Sequence, residues 1–405
     1  MTPDTHTGII DSMRKPQKRI ALLVQTATAW SRQVLAGVAE KGLETGVCEF
    51  ALEPRGFYES IQVPDYWSGD GVICRLTDDN LAREIRRRKI PAVNVSWLGE
   101  HSTEIPKVVS DEIACGRMAA EFFLERGWTN FGVVGFPPTL NYSGTAENTF
   151  AQVIQERGHR VSFFEHEPTI GELNLGRQLT NMADWLLSLA KPTAVLVWTT
   201  TIAHEISLTC RRANLSVPDD IAILAIEVDP LISSLAPTPI AYIDQSPRRV
   251  GACALELLLE MINGVPAPEQ PILIPPRSIA ERTSVDTVFV QDELVRSSIQ
   301  YMREKINLPI QVSDIATAMK ISRRVLESRF ERALKCSPAE VIRRSKLTHA
   351  IHLLGDTSLT VNEVALRCGY FHMETFLRFF KRETGQTPTE FRATPKKIQF
   401  VGDDL

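Results

Sequence analysis

A regular alternation of short apolar runs with longer amphipathic segments constrains this chain more than any other feature. From Arg19 to Ile243, runs rich in Val and Ile recur, and most are followed by a segment with helical periodicity. Continuous apolar strands that alternate with helices predict parallel sheets covered on both faces. The predicted strands are 20–24, 49–52, 71–74, 92–95, 108–110, 131–134, 161–164, 194–197, 221–226 and 242–243.

The number of these strands also predicts two lobes. So many strands exceed one small sheet, so we expect two doubly wound α/β lobes with a ligand cleft between them. The sequence carries no glycine-rich nucleotide loop, nucleophile elbow or metalloprotease motif, which favours binding over catalysis, and we expect neither cofactor nor metal. The predicted helices are 32–44, 80–88, 112–126, 145–157, 175–189, 202–213 and 247–261.

The last quarter of the chain differs in charge. Residues 288–397 hold 19 Lys and Arg against 12 Asp and Glu, whereas the rest holds 26 against 37. A basic module on an acidic body indicates that the module binds a polyanion. The 7 cysteines are scattered without a CxxC pair, which is typical of a reducing cytoplasm. No apolar stretch approaches the roughly 18 residues of a membrane span, so we expect no membrane partner.

The basic module contains two predicted helix-turn-helix units. In the first, over 312–334, Ser322 is expected to cap a reader helix that buries Val325, Leu326 and Phe330. The second, over 359–385, places its reader helix at 372–383 and packs through Val364, Ala365, Cys368 and Tyr370. Between them, a helix over 338–354 could hold both reader helices about one duplex turn apart, roughly 34 Å. Its predicted apolar face is Val341, Ile342, Leu347, Ile351 and Leu354.

The basic module resembles the DNA-binding domain of the AraC family over 288–393. The run 345–392 carries that family's three motifs, A-L-x-x-G-Y, F-x-R-x-F-K and G-x-T-P-x-x-F-R. The residues that carry them are Ala365, Cys368, Gly369, Tyr370, Phe376, Arg378, Phe380, Lys381, Gly385, Thr387, Pro388, Phe391 and Arg392. The resemblance implies that double-stranded DNA is the partner.

The same resemblance implies which side chains face the major groove. Arginine there could pair with guanine and glutamate with a cytosine amine. Arg378 and Lys381 are instead expected to contact phosphates, which position the domain without reading sequence. The implied DNA-binding residues are Arg323, Arg324, Glu327 and Ser328 in the first reader helix, and His372, Met373, Glu374, Leu377, Arg378 and Lys381 in the second.

The body over 19–284 resembles the periplasmic-binding-protein-like sensor domain of LacI-type regulators. Four segments in the right order carry the resemblance, at 125–135, 217–227, 243–264 and 275–284. The implied fold class is an α/β two-lobed sensor domain followed by an all-α double helix-turn-helix domain. Together the two halves resemble bacterial xylose operon regulators. That implies a small-molecule effector, in that family a sugar such as xylose, a homodimer on DNA, and RNA polymerase as a further partner of an activator.

The resemblance also implies a ligand pocket at the strand ends. The chain departs from the family pattern there, with Ala146 in place of an arginine and Thr200 and Glu227 in place of aspartates. Asp111 could instead cap a helix, and Trp30 and Trp198 could only pack between the lobes. The implied ligand-binding residues are Trp30, Arg32, Asp111, Tyr142, Trp198, Glu227, Asp244 and Gln245.

These observations give one expected organisation and two alternatives. We expect a tail over 1–18, a ligand-sensing domain over 19–284, a DNA-binding domain over 288–393 and a tail over 394–405. One alternative is a ligand-independent DNA-binding regulator whose sensor domain only dimerises, which Ala146 and Thr200 motivate. The other is an enzyme with a helical dimerisation module, which the missing catalytic motifs disfavour.

Overall fold

The structure is a computed structural model of the chain, and it forms two compact units, residues 1–287 and 288–405. It describes residues 17–393 except 55, 57–58, 60, 66, 77–78, 98–104, 137–143, 167–174, 287–291, 335 and 357–358. Tyr142 and the predicted tails, except for residues 17–18, therefore lie outside the described residues. Within the described part, no helix is long and apolar enough to cross a membrane.

The first unit alternates strands and helices. Its elements are β1 (Lys18–Leu23), α1 (Ala29–Thr45), β2 (Cys48–Leu52), β3 (Gly71–Cys74), α2 (Asp79–Arg88), β4 (Ala92–Asn94), β5 (Val108–Ser110), α3 (Glu112–Glu125), β6 (Phe131–Val134), α4 (Thr145–Glu156), β7 (Val161–Phe163), α5 (Leu175–Ser188), β8 (Thr193–Thr199), α6 (Thr200–Arg212), β9 (Ile221–Glu227), α7 (Pro230–Leu235), β10 (Ala241–Asp244), α8 (Pro247–Ile262), β11 (Ile272–Ile274) and β12 (Ser278–Ala280). A short 3-10 helix, Thr283–Val285, ends the unit.

Two sheets give the first unit its two lobes. The first lobe has the parallel order β2-β1-β3-β4, and β5 pairs with β11 beside it. The second lobe has the order β12-β10-β9-β8-β6-β7, in which β12 alone among these strands runs antiparallel. The predicted two-lobed α/β fold is therefore confirmed. Strand β12 lies in the segment 275–284 that resembles the closing strand of LacI-type sensor domains, whereas β11 and α7 are additions to the predicted elements.

Side-chain alternation explains why the strands read as continuous apolar runs. In β1, Ile20 and Leu22 pack into one hydrophobic cluster, whereas Ala21 and Leu23 pack into another. Successive residues of a strand point to opposite faces, so both faces of this sheet are covered and each residue must be apolar. The same cause makes the first six residues of both β8 and β9 buried.

The chain passes between the lobes at the carboxyl ends of several strands. It leaves the first lobe after β5, returns after β10 into α8, and leaves again between β11 and β12. Helix α8 belongs to the first lobe because its buried side chains join those of α1 and β1 in one cluster. These crossovers bring the strand ends of both lobes to a common cleft.

The second unit is helical and has two hydrophobic clusters. Its helices are α9 (Glu293–Glu304), α10 (Val312–Ala318), α11 (Arg323–Leu334), α12 (Pro338–Asp356), α13 (Val361–Arg367), α14 (Met373–Thr384) and α15 (Pro388–Ala393). Helix α12 enters both clusters, since Ile342 packs with α9–α11 and Leu353 packs with α13 and α14. The two predicted helix-turn-helix units therefore share one continuous helix.

Two positions predicted as buried are exposed. Val325 is 45% exposed and Ile351 is 37% exposed. Successive helical residues are rotated by about 100°. In α11 the core-facing positions are Leu326 and Phe330, four residues apart, and Val325 is rotated away from them. In α12 the core-facing positions near Ile351 are Ala350, Leu353 and Leu354.

A buried lysine joins the two clusters of the second unit. Lys346 on α12 is 6% exposed, and its ammonium donates to the Leu308 carbonyl at 3.1 Å, before α10. The same ammonium lies 4.8 Å from the centroid of the Tyr370 ring, in the second helix-turn-helix unit. Burial lowers the pKa of Lys346. Because this cation contacts both the segment before α10 and the second helix-turn-helix unit, it links the two hydrophobic clusters through α12.

Replacing this lysine should loosen the helical unit. We expect Lys346→Met to reduce the free energy of unfolding by about 1–3 kcal/mol, because the Leu308 carbonyl loses a charged donor. The measurement is the urea midpoint for loss of helical circular dichroism in the full chain. The exposed Lys305 provides the control, and Lys305→Met should change stability by less than about 0.5 kcal/mol. Equal midpoints for the two variants would show that Lys346 is not a structural link.

Candidate functional site: an interlobe cavity and a nucleic-acid interface

A cavity of about 40 Å³ lies between the two lobes of the first unit. Sites for small molecules usually have roughly 300–1,000 Å³, so a ligand would need the two lobes to move apart from the arrangement in this structure. Both lobes contribute to the cavity, because Arg75 follows β3 in the first lobe and Glu227 ends β9 in the second. The lining residues are Trp30, Arg75, Val95, Ser96, Trp97, Val109, Ser110, Glu112, Phe136, Trp198, Glu227 and Gln245.

Aromatic side chains form much of the cavity wall. The Phe136 and Trp198 rings lie 5.3 Å apart between centroids in the second lobe. In the first lobe, the Trp97 indole donates to the Ser110 carbonyl at 2.9 Å, which fixes that ring. Flat apolar faces of this kind can pack against the C–H face of a ring-shaped ligand.

Two opposite charges face the cavity from different lobes. Burial lowers the pKa of Arg75, and the Glu227 charge opposes that shift. Burial raises the pKa of Glu227, and Arg75 opposes that shift in turn. The Arg75 guanidinium also donates to the Ser31 hydroxyl at 3.0 Å and lies 5.3 Å from the Trp30 ring centroid. These contacts position a bidentate donor and an acceptor that a hydroxylated ligand could use.

Four of the predicted ligand-binding residues line this cavity. They are Trp30, Trp198, Glu227 and Gln245. Gln245 is buried and follows β10, where the chain crosses between lobes. Their contact with a ligand stays a prediction, since lining a cavity is a necessary condition for that role and not a sufficient one.

Three other predicted ligand-binding residues have partners elsewhere. Arg32 contacts Asp229 of the second lobe at 3.4 Å and donates to the Thr26 and Ala27 carbonyls. Asp111 caps α3 by accepting from the Ala114 amide at 2.9 Å, which confirms its alternative structural interpretation. Asp244 accepts from the Ser246 amide at 2.9 Å and lies 3.9 Å from Arg277.

Two family departures also have structural roles. The Thr200 hydroxyl accepts from the Asp229 amide at 2.8 Å and so supports the residue that Arg32 contacts. Ala146 on α4 is buried, and its carbonyl lies where a side chain on Gly116 of α3 would stand. The backbones of α3 and α4 thus approach closely at Ala146.

Sequence patterns did not single out two thirds of the residues that line the cavity. Arg75 had a signal, because a charged residue directly follows the apolar run 71–74, at a strand's carboxyl end. For Trp97 and Phe136 the only sequence signal was an aromatic side chain, which many core residues also have. The lining residues that were missed are Arg75, Val95, Ser96, Trp97, Val109, Ser110, Glu112 and Phe136.

A buried carboxyl lies near the cavity in the second lobe. Glu147 is 4% exposed on the first turn of α4, next to Gly135, the residue before Phe136. Its Oε2 atom contacts no hydrogen-bond donor among the residues that the structure describes. Burial raises the pKa of Glu147 to about 7. The folded state therefore binds a proton that an unfolded glutamate releases near pH 4.5.

In the second unit, α11 exposes the predicted first set of DNA contacts. Arg323, Arg324 and Ser328 are exposed, and Glu327 is half-buried. Arg323 donates to Glu327 at 2.8 Å, so these two groups are partly engaged with each other. Among the described residues, Arg324 has no ion-pair partner. Of the two arginines in this predicted set, Arg324 is therefore the more available.

Helix α14 exposes the predicted second set. His372, Met373, Glu374, Arg378 and Lys381 are exposed, and Leu377 is half-buried. The opposite face of the helix is apolar and buried, through Phe376, Phe379 and Phe380. Each helix-turn-helix unit thus presents a polar face with cations, as a helix that enters the major groove requires.

Comparisons with known proteins agree with both halves of this description. The family model described as a periplasmic binding protein-like domain matches residues 120–285. The model described as a helix-turn-helix domain matches residues 315–394. The chain is also 28% identical to the xylose operon regulatory protein of Escherichia coli strain K12, over 94% of this chain and 98% of that protein.

The chain is a DNA-binding transcriptional regulator with a periplasmic binding protein-like domain and a helix-turn-helix domain. The regulator is also 26% identical to the xylose operon regulatory protein of Haemophilus influenzae, over 94% of this chain and 99% of that protein. A solved structure of the xylose-binding transcription activator XylR superposes with a TM-score of 0.79 and 27% identity, over 94% and 99% of the two chains. These similarities confirm the predicted family resemblance and the prediction of a regulator rather than an enzyme.

The raised pKa of Glu147 predicts a pH-dependent stability. Its protonated form stabilises the fold fully below about pH 4.5, and this contribution is lost as the pH rises through about 7. Relative to Glu147→Gln, the wild-type regulator should therefore lose on the order of 1–3 kcal/mol between pH 5 and 8. Thermal unfolding at several pH values measures this difference, and parallel profiles for the two proteins would exclude the buried acid as its source.

The exposed cations predict two kinds of DNA-binding variant. Arg324→Ala should cost about 1–3 kcal/mol at one base position and relax specificity there. Lys381→Ala should weaken binding to all sequences and reduce the salt slope by about one. The measurement is competitive binding to random duplexes, sequenced after selection. Arg332, exposed at the other end of α11, provides a matched control. An equal loss on every sequence for Arg324→Ala would make it a phosphate contact.

Proposed function

We propose that the regulator binds a neutral sugar in the interlobe cavity and that this binding controls its action on DNA. The observation that carries the proposal is that Arg75 and Glu227, from different lobes, both line an aromatic cavity. The names of the similar proteins support it, because they describe xylose operon regulators and a xylose-binding activator. Xylose is accordingly the leading ligand in this proposal.

The charge of the cavity favours a neutral ligand over an acidic one. Among the described lining residues, Arg75 is the one cation, and Glu227 and Glu112 are carboxylates. A sugar acid or sugar phosphate would bring a further negative charge to a site whose cation is already balanced. Hydroxyls can instead accept from Arg75 and donate to Glu227 without adding charge.

A ligand could act by favouring the closed arrangement of the lobes. Arg32 of the first lobe and Asp229 of the second already meet at 3.4 Å. A sugar that contacts both lobes would bind the closed arrangement better than an open one. It can shift the equilibrium only by that difference in affinity.

The regulator would act on DNA as a homodimer in the cytoplasm. Two copies would place four reader helices on paired half-sites, with α11 and α14 of each copy in the major groove. The name of the XylR structure supports activation, for which RNA polymerase would be the further partner. In this proposal, ten residues of the two reader helices face DNA. They are Arg323, Arg324, Glu327 and Ser328 on α11, and His372, Met373, Glu374, Leu377, Arg378 and Lys381 on α14.

A second candidate is a regulator whose sensor domain has lost its ligand and only dimerises. The structural roles of Thr200 and Ala146 favour it, because both positions contribute to packing and neither lines the cavity. Its operator binding would be the same with and without any sugar.

A thermal-shift experiment on the full-length regulator separates these candidates. A sugar at a hundred times its dissociation constant should stabilise the sensor domain by roughly 2.7 kcal/mol. We expect a shift with a neutral pentose or hexose and little shift with the corresponding sugar acids. Glu227→Gln should remove most of the shift, because the acceptor for a hydroxyl becomes weaker.

The control variant is Glu156→Gln, which changes an exposed carboxylate on α4. It should keep the full response to the sugar. A stronger shift with a sugar acid than with the neutral sugar would contradict the charge argument. No shift with any sugar, together with unchanged operator binding, would favour the ligand-independent regulator.

A further inference from the structure

An exposed apolar pair lies at the start of the second reader helix. Phe371 is 72% exposed and Met373 is 41% exposed. Phe371 immediately precedes His372, the N-cap residue of α14. It was not among the predicted DNA contacts. Single exposed apolar residues are common on protein surfaces, but two of them at the start of a reader helix form a small apolar patch.

The backbone of the turn determines that Phe371 lies outside. Gly369 has φ +72°, a conformation that favours glycine, and the turn that follows directs Tyr370 into the core. The Tyr370 ring stacks on Phe379, with centroids 5.2 Å apart, and Lys346 lies over it. With Tyr370 held inside, the next side chain is left on the surface at the amino end of α14.

Cations flank this apolar pair. Arg367 ends α13, and Arg378 and Lys381 follow on α14, all of them exposed. Such a face attracts a polyanion. In the major groove of DNA, the one apolar group on the base edges is the 5-methyl group of thymine, and aromatic or aliphatic side chains contact it.

We propose that Phe371, together with Met373, reads thymine methyl groups in the operator. The contact gives the second helix-turn-helix unit an apolar element of specificity beside its cations. The proposal rests on the proposed function, in which α14 enters the major groove. The proposal adds which base is recognised, thymine, and which side chain recognises it, Phe371.

The size of the pair disfavours a protein partner on this surface. A stable protein interface buries about 1,200–2,000 Å², which two side chains cannot supply. A single methyl group matches the area that one phenylalanine edge can cover. A second copy of the chain on this face would instead show as self-association that depends on Phe371.

The test replaces thymine by uracil, which pairs identically with adenine but lacks the methyl group. The operator is first selected from random duplexes with the full-length wild-type regulator. Each thymine is then replaced singly, and dissociation constants are measured for the wild type and for Phe371→Ala. We expect one or two positions at which uracil weakens wild-type binding about fourfold, the worth of one buried carbon group. At those positions Phe371→Ala should bind both duplexes equally.

The exposed Leu366 on α13 provides a matched control, since it is 48% exposed in the same helix-turn-helix unit. Leu366→Ala should keep the wild-type response to uracil. A wild-type regulator that is indifferent to uracil at every position would overturn the proposal. So would a Phe371→Ala protein that still discriminates thymine from uracil, or one whose main change is a loss of self-association.

The failure of this inference differs from the failure of the proposed function. If Arg378→Ala weakens operator binding while uracil has no effect, α14 contacts DNA without reading thymine through Phe371. If neither Arg378→Ala nor uracil has an effect, α14 does not enter the groove. Unchanged thermal midpoints for Phe371→Ala, expected for an exposed side chain, exclude misfolding as the cause.

Discussion

The opposite charges of Arg75 and Glu227 are the constraint on which the sensor domain depends. They come from different lobes and face one cavity, where burial disfavours the charged form of each group and the opposite charge of the other favours it. Removing two charges from water costs several kcal/mol per ion unless other groups compensate. The Ser31 hydroxyl and the Trp30 ring compensate part of that cost for Arg75. Hydroxyl groups of a ligand would compensate more of that cost, so the cleft favours a polar ligand.

The two units of the chain place their polar groups in different ways. The sensor domain places its polar groups at strand ends and crossovers, where small movements of two lobes can change their spacing. The helical unit places its polar groups on α11 and α14, each with its apolar face packed in a separate cluster. Helix α12 and Lys346 join those clusters. A rigid spacing of two reader helices is what recognition of successive major grooves requires.

The fold could be predicted from the sequence because a strand that is buried on both faces consists almost entirely of apolar residues. The runs that became β8 and β9 had no other interpretation once helices alternated with them. Helix α7 could not be predicted from an apolar pattern, because it has six residues and exposes Leu231 and Leu235. The cavity was harder to predict, since it depends on which strand ends meet in space. Glu227 could be found from the family pattern, whereas Arg75 lies outside that comparison. Asp111 shows the converse difficulty, because a carboxylate before a helix suits both a cap and a ligand contact.

We expect the cavity and the DNA-binding surface of the regulator to be thermodynamically coupled. The most direct measurement is the affinity of the full-length regulator for its sugar, by calorimetry, with and without operator DNA. We expect operator DNA to change the sugar affinity, by about 5- to 150-fold as in a typical coupled system. Linkage requires the sugar to change operator affinity by the same factor. A sugar that binds in the cavity with equal affinity to the free and the DNA-bound regulator would contradict the account.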